Sequence, residues 1–137
     1  ELIARHGRSN IGLYNVDGEG AYPEAEQGLI QDTGRAEDMG VFRTPTLRNV
    51  ALTGPYTHDG SVATLDHMIR IFAAGGRLTA DGPNAGDGRT TPYKDVLMQP
   101  YDLSPTERAD LVEFLHALTD HTLINDPAIT DPFVREP

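Results

Sequence analysis

The 137-residue sequence has no cysteine and no tryptophan, and it carries 11 lysines and arginines against 21 aspartates and glutamates. Each shortage excludes something. Without cysteine there can be no disulfide, no thiolate metal site, no catalytic thiol, and no haem attached through a C-x-x-C-H motif within this chain. The missing cysteine does not identify a redox compartment, because absence fits either one. A net charge of −10 argues against a nucleic-acid backbone or an anionic membrane as the main partner. No run approaches the roughly 18 apolar residues of a membrane span. The opening residues Glu-Leu-Ile-Ala-Arg-His show neither an initiator methionine nor the layout of a signal peptide. Glu1 therefore reads as a processing or trimming point, with the natural polypeptide expected to begin earlier.

Hydrophobic residues make up 38% of the chain, while 14 glycines and 10 prolines punctuate it. The length suits a single domain. Such a composition predicts a few helices set among long ordered loops. Residues 1–40 show no lasting period of 3.6 or 2 and read as loop. Their scattered Ile11, Leu13, Tyr14, Tyr22, Leu29 and Ile30 predict a loop that packs on something. A helical turn is expected at Leu47–Leu52, and Asp59-Gly60 is a turn signal.

The first clear helix is predicted over 64–74. Thr64 caps it, Leu65, Met68, Ile69 and Phe72 form one apolar stripe, and Gly75-Gly76 stops it. The second is predicted over 104–119, with Ser104 and Glu107 as a capping box and Pro105 at the first helical position. Its expected buried stripe is Leu111, Phe114, Leu115 and Leu118. Between the helices, 79–100 reads as loop, with Asp81 to Gly88 the most flexible-looking part. Asp81, Asn84 and Asp87 do not meet calcium-loop spacing, so an exposed loop is the simpler reading. The tail from 120, with Pro127, Pro132 and Pro137, is expected to wrap over the surface.

His58 is the most notable single residue, in a Pro/Gly-rich bend just before a helix. A turn histidine bonded to backbone is the plain reading, and a contact to a cofactor or a proton partner is the functional one. His67 and His116 are expected at helix surfaces, His121 after the second helix, and His6 in the opening loop. No histidine pair has zinc-site spacing, there is no G-x-S-x-G, and there is no phosphate loop. Arg43 and Arg48 stand close together in a rigid segment. They could pair with the many carboxylates, or clamp a carboxylate ligand such as a propionate. The residues by themselves reach a loop-rich, all-α-type domain with an Arg/His/Pro segment.

The run Phe42-Arg43-Thr44-Pro45-Thr46-Leu47-Arg48-Asn49-Val50-Ala51-Leu52-Thr53-Gly54-Pro55-Tyr56-Thr57-His58-Asp59-Gly60-Ser61 is far more specific. It resembles the signature of the C-terminal cytochrome c domain of bacterial di-haem cytochrome c peroxidases and MauG-like enzymes. The similarity continues through Ala63-Thr64-Leu65 and Ala73-Ala74-Gly75-Gly76, and resumes over Leu103–Leu115. Asn10–Asn15 and Glu37–Gly40 are similar to a di-haem subgroup found near methanobactin-type gene clusters.

The resemblance implies a cytochrome c-like all-α fold over 1–137, forming the C-terminal portion of a periplasmic di-haem oxidoreductase. The implied activity is peroxide reduction, or haem-mediated oxidation of a protein partner. This segment would form the shell of the second, electron-transfer haem. Implied partners are the N-terminal haem domain of the same polypeptide and a small electron-donor protein or protein substrate. The resemblance places Pro45, Leu47, Arg48, Tyr56, His58, Met68 and Phe72 around the haem c. It also makes the backbone carbonyls of Thr53 and Pro55 ligands of a calcium ion.

Two departures matter. The C-x-x-C-H segment is absent, so the chain is expected to be the C-terminal part of a longer polypeptide and inactive alone. The family's distal ligand is Met or Tyr, yet the position fourteen residues after His58 is Phe72, which has no lone pair for iron. Met68, one turn earlier on the same face, is the nearest substitute metal ligand, and His67 a weaker one; otherwise the site is five-coordinate or holds no haem, and Phe72 is expected to pack against a haem or the void one would fill. The alternative is a cysteine-free remnant of the fold, acting as a non-catalytic docking or calcium-binding module.

Overall fold

The computed structural model describes residues 7–124. His6 and the prolines of the tail lie outside them. Helices α1 (Ile30–Thr33), α2 (Leu65–Ala73), α3 (Pro105–Ala117) and α4 (His121–Ile124) are set among loops and three 3-10 turns. Two antiparallel pairs join short strands. β1 (Arg8–Ser9) pairs with β2 (Phe42–Arg43), and β3 (Leu78–Thr79) with β4 (Gly86–Asp87). The all-α expectation thus gains four short strands, and the expectation of a loop-rich chain stands.

Both main helices start where their caps lie. The Thr64 hydroxyl accepts from His67 N at 3.2 Å. Ser104 accepts from Glu107 N at 3.2 Å, while Glu107 Oε2 accepts from Ser104 N at 2.9 Å, which completes the capping box. Ala74 caps the end of α2, and Gly75 follows with φ 70°. α3 packs on α2 and on the 3-10 turn Val50–Leu52. Asp66 bridges the two helices, accepting from Arg108 Nε at 2.6 Å and from Arg70 Nε at 2.8 Å.

The stripe expected to be buried on α3 is not buried. Phe114 is 56% exposed, Leu111 is 37% exposed, and Leu115 and Leu118 are half-buried. The strong capping signal fixes the helix without requiring an apolar face beneath it.

The core comes instead from the unpatterned opening loop. Leu13, Tyr14 and Tyr22 cluster with Val62 and Ile71. A loop can sit in a core only if its backbone polar groups are satisfied. Two buried asparagines do this. Asn10 Oδ1 accepts from Gly12 N and from the Tyr22 hydroxyl, both at 2.8 Å, and its Nδ2 donates to Met39 O at 2.8 Å. Asn15 Oδ1 accepts from Gly20 N at 2.7 Å, and its Nδ2 donates to Asp87 O at 3.2 Å. Side-chain amides thus replace a ladder.

The same device orders the segment expected to be most flexible. β4 packs so closely on the opening loop that a Cβ on Gly86 would lie 2.1 Å from Asn15 O. The pairing of Leu78–Thr79 with Gly86–Asp87 makes 80–85 the loop of a short hairpin anchored at its base.

Candidate functional site

The run 42–61 folds into one wall of an apolar cavity of about 570 Å³. β2 is tied to β1, and Thr44 N donates to Gly7 O at 2.7 Å, which fixes the start of the wall. The chain then turns at Val50–Leu52. Asn49, left-handed at φ 59°, donates its N–H to Leu118 O at 3.1 Å and accepts from Asp120 N at 2.6 Å on Oδ1. This pins the wall to the end of α3. Tyr56 donates its hydroxyl to Val50 O at 3.0 Å and pairs its backbone with Val62. Residues 57–61 therefore form a closed bend at the cavity edge.

Pro45, Leu47, Tyr56, His58, Met68 and Phe72 all line the cavity, as do Thr53, Pro55 and Arg43. Arg48 does not; it is exposed. The stripe Leu65, Met68, Ile69 and Phe72 is the α2 wall, which explains its periodicity: it faces a cavity as much as a core. Ile11, Leu13, Tyr22 and Leu115 close the other sides. Sequence reasoning had not placed Phe42, Tyr22, Ile69 or Leu115 at this site. For Tyr22 the aromatic and aliphatic scatter in the opening loop was the available signal; Phe42 lay in the 42–61 run, and Ile69 and Leu115 in the apolar stripes of α2 and α3.

His58 lies at the surface, yet its side chain is turned inward and only 14% exposed. Its ring stacks on Phe42 with centroids 3.7 Å apart and planes 9° from parallel. Nε2 lies 3.3 Å from Glu26 Oε2. Burial lowers the His58 pKa, against the pull of the Asp59 and Glu26 carboxylates, so the ring is held neutral near pH 7. Asp59 is the anchor of the bend. Its Oδ1 accepts from the Thr57 hydroxyl at 2.5 Å and from Ser61 N at 3.0 Å, and its Oδ2 from the Tyr14 hydroxyl at 2.5 Å. Burial pushes its pKa up, but these bonds outweigh that and hold it well below the usual carboxylate range. They also hold Thr57 at φ 75°, a conformation costing about 1–3 kcal/mol for a β-branched residue.

Glu26, His58 and Asp59 bring one ligand-type atom each within 4.8 Å of one another. Both Asp59 oxygens already accept hydrogen bonds, Oδ1 within the bend and Oδ2 from Tyr14 of the opening loop, which accounts for the position of this carboxylate without an ion. Arg43 makes no ion pair among the described residues and stands on the wall of the cavity. A large, flat, apolar group with a carboxylate edge fits this arrangement: apolar faces on three sides and a guanidinium fork for the acid.

No protein-family model matches the chain. It is 36% identical over 110 residues to the cytochrome-c peroxidase IdrP1 of Denitromonas iodatirespirans, covering 79% of this chain and 26% of that protein. It is 32% identical over 110 residues to the methylamine utilization protein MauG of Methylophilus methylotrophus, covering 80% and 27%. A crystal structure of a MauG-like protein associated with microbial copper homeostasis superposes with a TM-score of 0.89 at 54% identity, over 91% of this chain and 36% of that one. The chain thus spans about a quarter of the length of the curated relatives it matches. It is related to the di-haem cytochrome c peroxidases and MauG proteins, shares the MauG-like fold, and carries no cysteine.

Proposed function

We propose that this chain forms the shell of a haem c in a di-haem peroxidase or MauG-type oxidoreductase, with the haem attached through cysteines outside residues 1–137. One observation carries the reading. The run 42–61 and the α2 stripe converge with the sequence-distant Ile11, Leu13, Tyr22 and Leu115 on a single apolar cavity of about 570 Å³.

Leu47, Tyr56, Leu65 and Ile69 would hold the faces of the group, and Arg43 a propionate. Met68 and Phe72 stand on the face of α2 that meets it. Phe72 has no lone pair, so Met68 is the donor of the two. Bound there, a haem supplies electron storage and transfer for peroxide reduction or for oxidation of a protein partner. His58, neutral and stacked on Phe42, sits at the edge as a fixed polar contact. The carbonyls of Thr53 and Pro55 are assigned to a calcium ion. We place the protein in the periplasm, beside an N-terminal haem domain of the same polypeptide and a small electron-donor protein.

The test is the absorbance of the full-length polypeptide. Two haems, with Phe72→Tyr shifting the spectrum of one through a new phenolate ligand, support the reading. A full-length protein with no Soret band overturns it in favour of a docking or calcium-binding remnant. Two haems with an unchanged Phe72→Tyr spectrum overturn the placement of Phe72.

A further inference from the structure

A second concavity lies beyond the apolar cavity, an open groove of about 410 Å³ lined by Tyr14, Ser61, His67, Arg77, Asp81 and Asn84 among others. Tyr22 lines the cavity and not the groove; Tyr14 lines the groove and not the cavity. The two rings meet edge to face, with centroids 5.5 Å apart. Tyr14 is also 6.4 Å from the His58 ring on the cavity wall. Both tyrosines are buried, at 6% and 2% exposure. Adjacent aromatic rings therefore span the wall between the two concavities.

The two phenols differ in what receives their proton. Tyr22 donates to Asn10 Oδ1 and accepts from Leu13 N at 3.1 Å. An amide oxygen is not a base, and burial pushes the Tyr22 pKa up to about 12. Tyr14 instead donates to the Asp59 carboxylate at 2.5 Å. Oxidised phenols are strong acids, so a one-electron oxidation is easiest where a carboxylate takes the proton in the same step. The Arg77 guanidinium lies 4.4 Å above the Tyr14 ring. Its charge disfavours a cationic ring, and so favours a neutral product that has lost its proton.

Resting on the haem-shell reading, we propose that Tyr14 is a redox-active residue, delivering oxidising equivalents from the cavity to a reductant bound in the Arg77-lined groove. One electron leaves Tyr14 through the Tyr22 or His58 ring for the peroxide-oxidised haem that the haem-shell reading places in the cavity. The Tyr14 O–H bond breaks, the proton forms a carboxylic acid on Asp59 Oδ2, and a neutral tyrosyl radical remains. An electron from an organic or protein reductant in the groove, with the proton returned by Asp59, restores the phenol.

The test uses the full-length protein treated with hydrogen peroxide and frozen for electron paramagnetic resonance. Absorbance is recorded on the same sample. A radical signal that narrows with ring-deuterated tyrosine and is lost in Tyr14→Phe supports the proposal. So does a signal that forms at least tenfold more slowly in Asp59→Asn while both haem bands are unchanged. Deuterated wild-type protein keeps the experiment informative if a variant folds poorly. Full haem absorbance with no tyrosyl signal, or with one that survives Tyr14→Phe, overturns the relay and leaves the haem-shell reading intact. Absence of haem absorbance overturns that reading, and the relay with it.

Discussion

Gly40 and Gly34 offer a paired experiment on what holds the cavity wall. Both have left-handed backbones, at φ 68° and 66°. A methyl group on Gly34 would meet nothing within 4 Å. Gly34→Ala therefore carries only the backbone penalty, about 1–2 kcal/mol. A methyl group on Gly40 would lie 2.2 Å from Tyr22 Cε2, 2.4 Å from its Cζ and 2.6 Å from Asn10 Nδ2. The Tyr22 ring cannot move aside freely, because its hydroxyl is held by Asn10 Oδ1 and Leu13 N. To the same backbone penalty Gly40→Ala adds overpacking of roughly 1–3 kcal/mol and about 1 kcal/mol for each hydrogen bond it breaks. With one or both Tyr22 bonds lost the total is about 3–7 kcal/mol, a large share of an ordinary domain's stability. Urea titration followed by circular dichroism measures both variants. The midpoint should fall several times further for Gly40→Ala than for Gly34→Ala, with similar slopes. Equal losses would refute the argument, because the clash with Tyr22 would then contribute nothing.

Acid should unfold the domain in two stages. His58 has a lowered pKa in the folded state, so the unfolded chain takes the proton first and stability declines as pH falls below about 6.5. Asp59 is also lowered, so its contribution is complete above the ordinary aspartate range of about 4 and is lost as pH falls further. Each titrating group sets a limiting slope of about 1.4 kcal/mol per pH unit; Asp66, Asp87 and Asp120 are lowered as well, so Asp59→Asn should make the lower stage shallower, without abolishing it, in a pH series of denaturation midpoints. Ser104→Ala removes the hydroxyl of the capping box and should cost about 1 kcal/mol. Restoration by Ser104→Asp would separate capping from lost packing.

How much of this was legible in the sequence varied with the kind of signal. α2 and α3 were readable because caps act locally: Thr64, and Ser104 with Glu107, bond to amides three residues on. The run 42–61 stood out because its twenty residues are contiguous, and together they form one wall of the cavity. The core was harder. Leu13, Tyr14 and Tyr22 occupy a segment whose order depends on Asn10 and Asn15 reaching residues as distant as Met39 and Asp87. No periodicity records such bonds. The α3 stripe misled for the opposite reason: a period of 3.6 shows which residues share a face, not what covers it. Asp59 was legible only as a turn residue. Its partner Tyr14 lies 45 positions away, and nothing local in the sequence links them.

Core and cavity share residues here, and that explains how so little hydrophobic material organises the chain. Leu13, Tyr22, Val50, Leu65 and Ile69 are buried and also form the cavity wall; Tyr14, Val41, Val62, Ile71 and Met98 are buried and do not. One helix carries both kinds two residues apart, Ile69 at 8% exposure and Ile71 at 3%. Truncating either to alanine removes similar apolar contact and should cost about 2–5 kcal/mol. Only Ile69→Ala changes the shape of the cavity. In full-length protein the two variants should therefore lose similar thermal stability, while only Ile69→Ala shifts the absorbance of a group held there. If Ile71→Ala shifted the spectrum equally, α2 would be acting as a rigid unit on the cavity, and the division between core and wall drawn from the lining residues would be wrong.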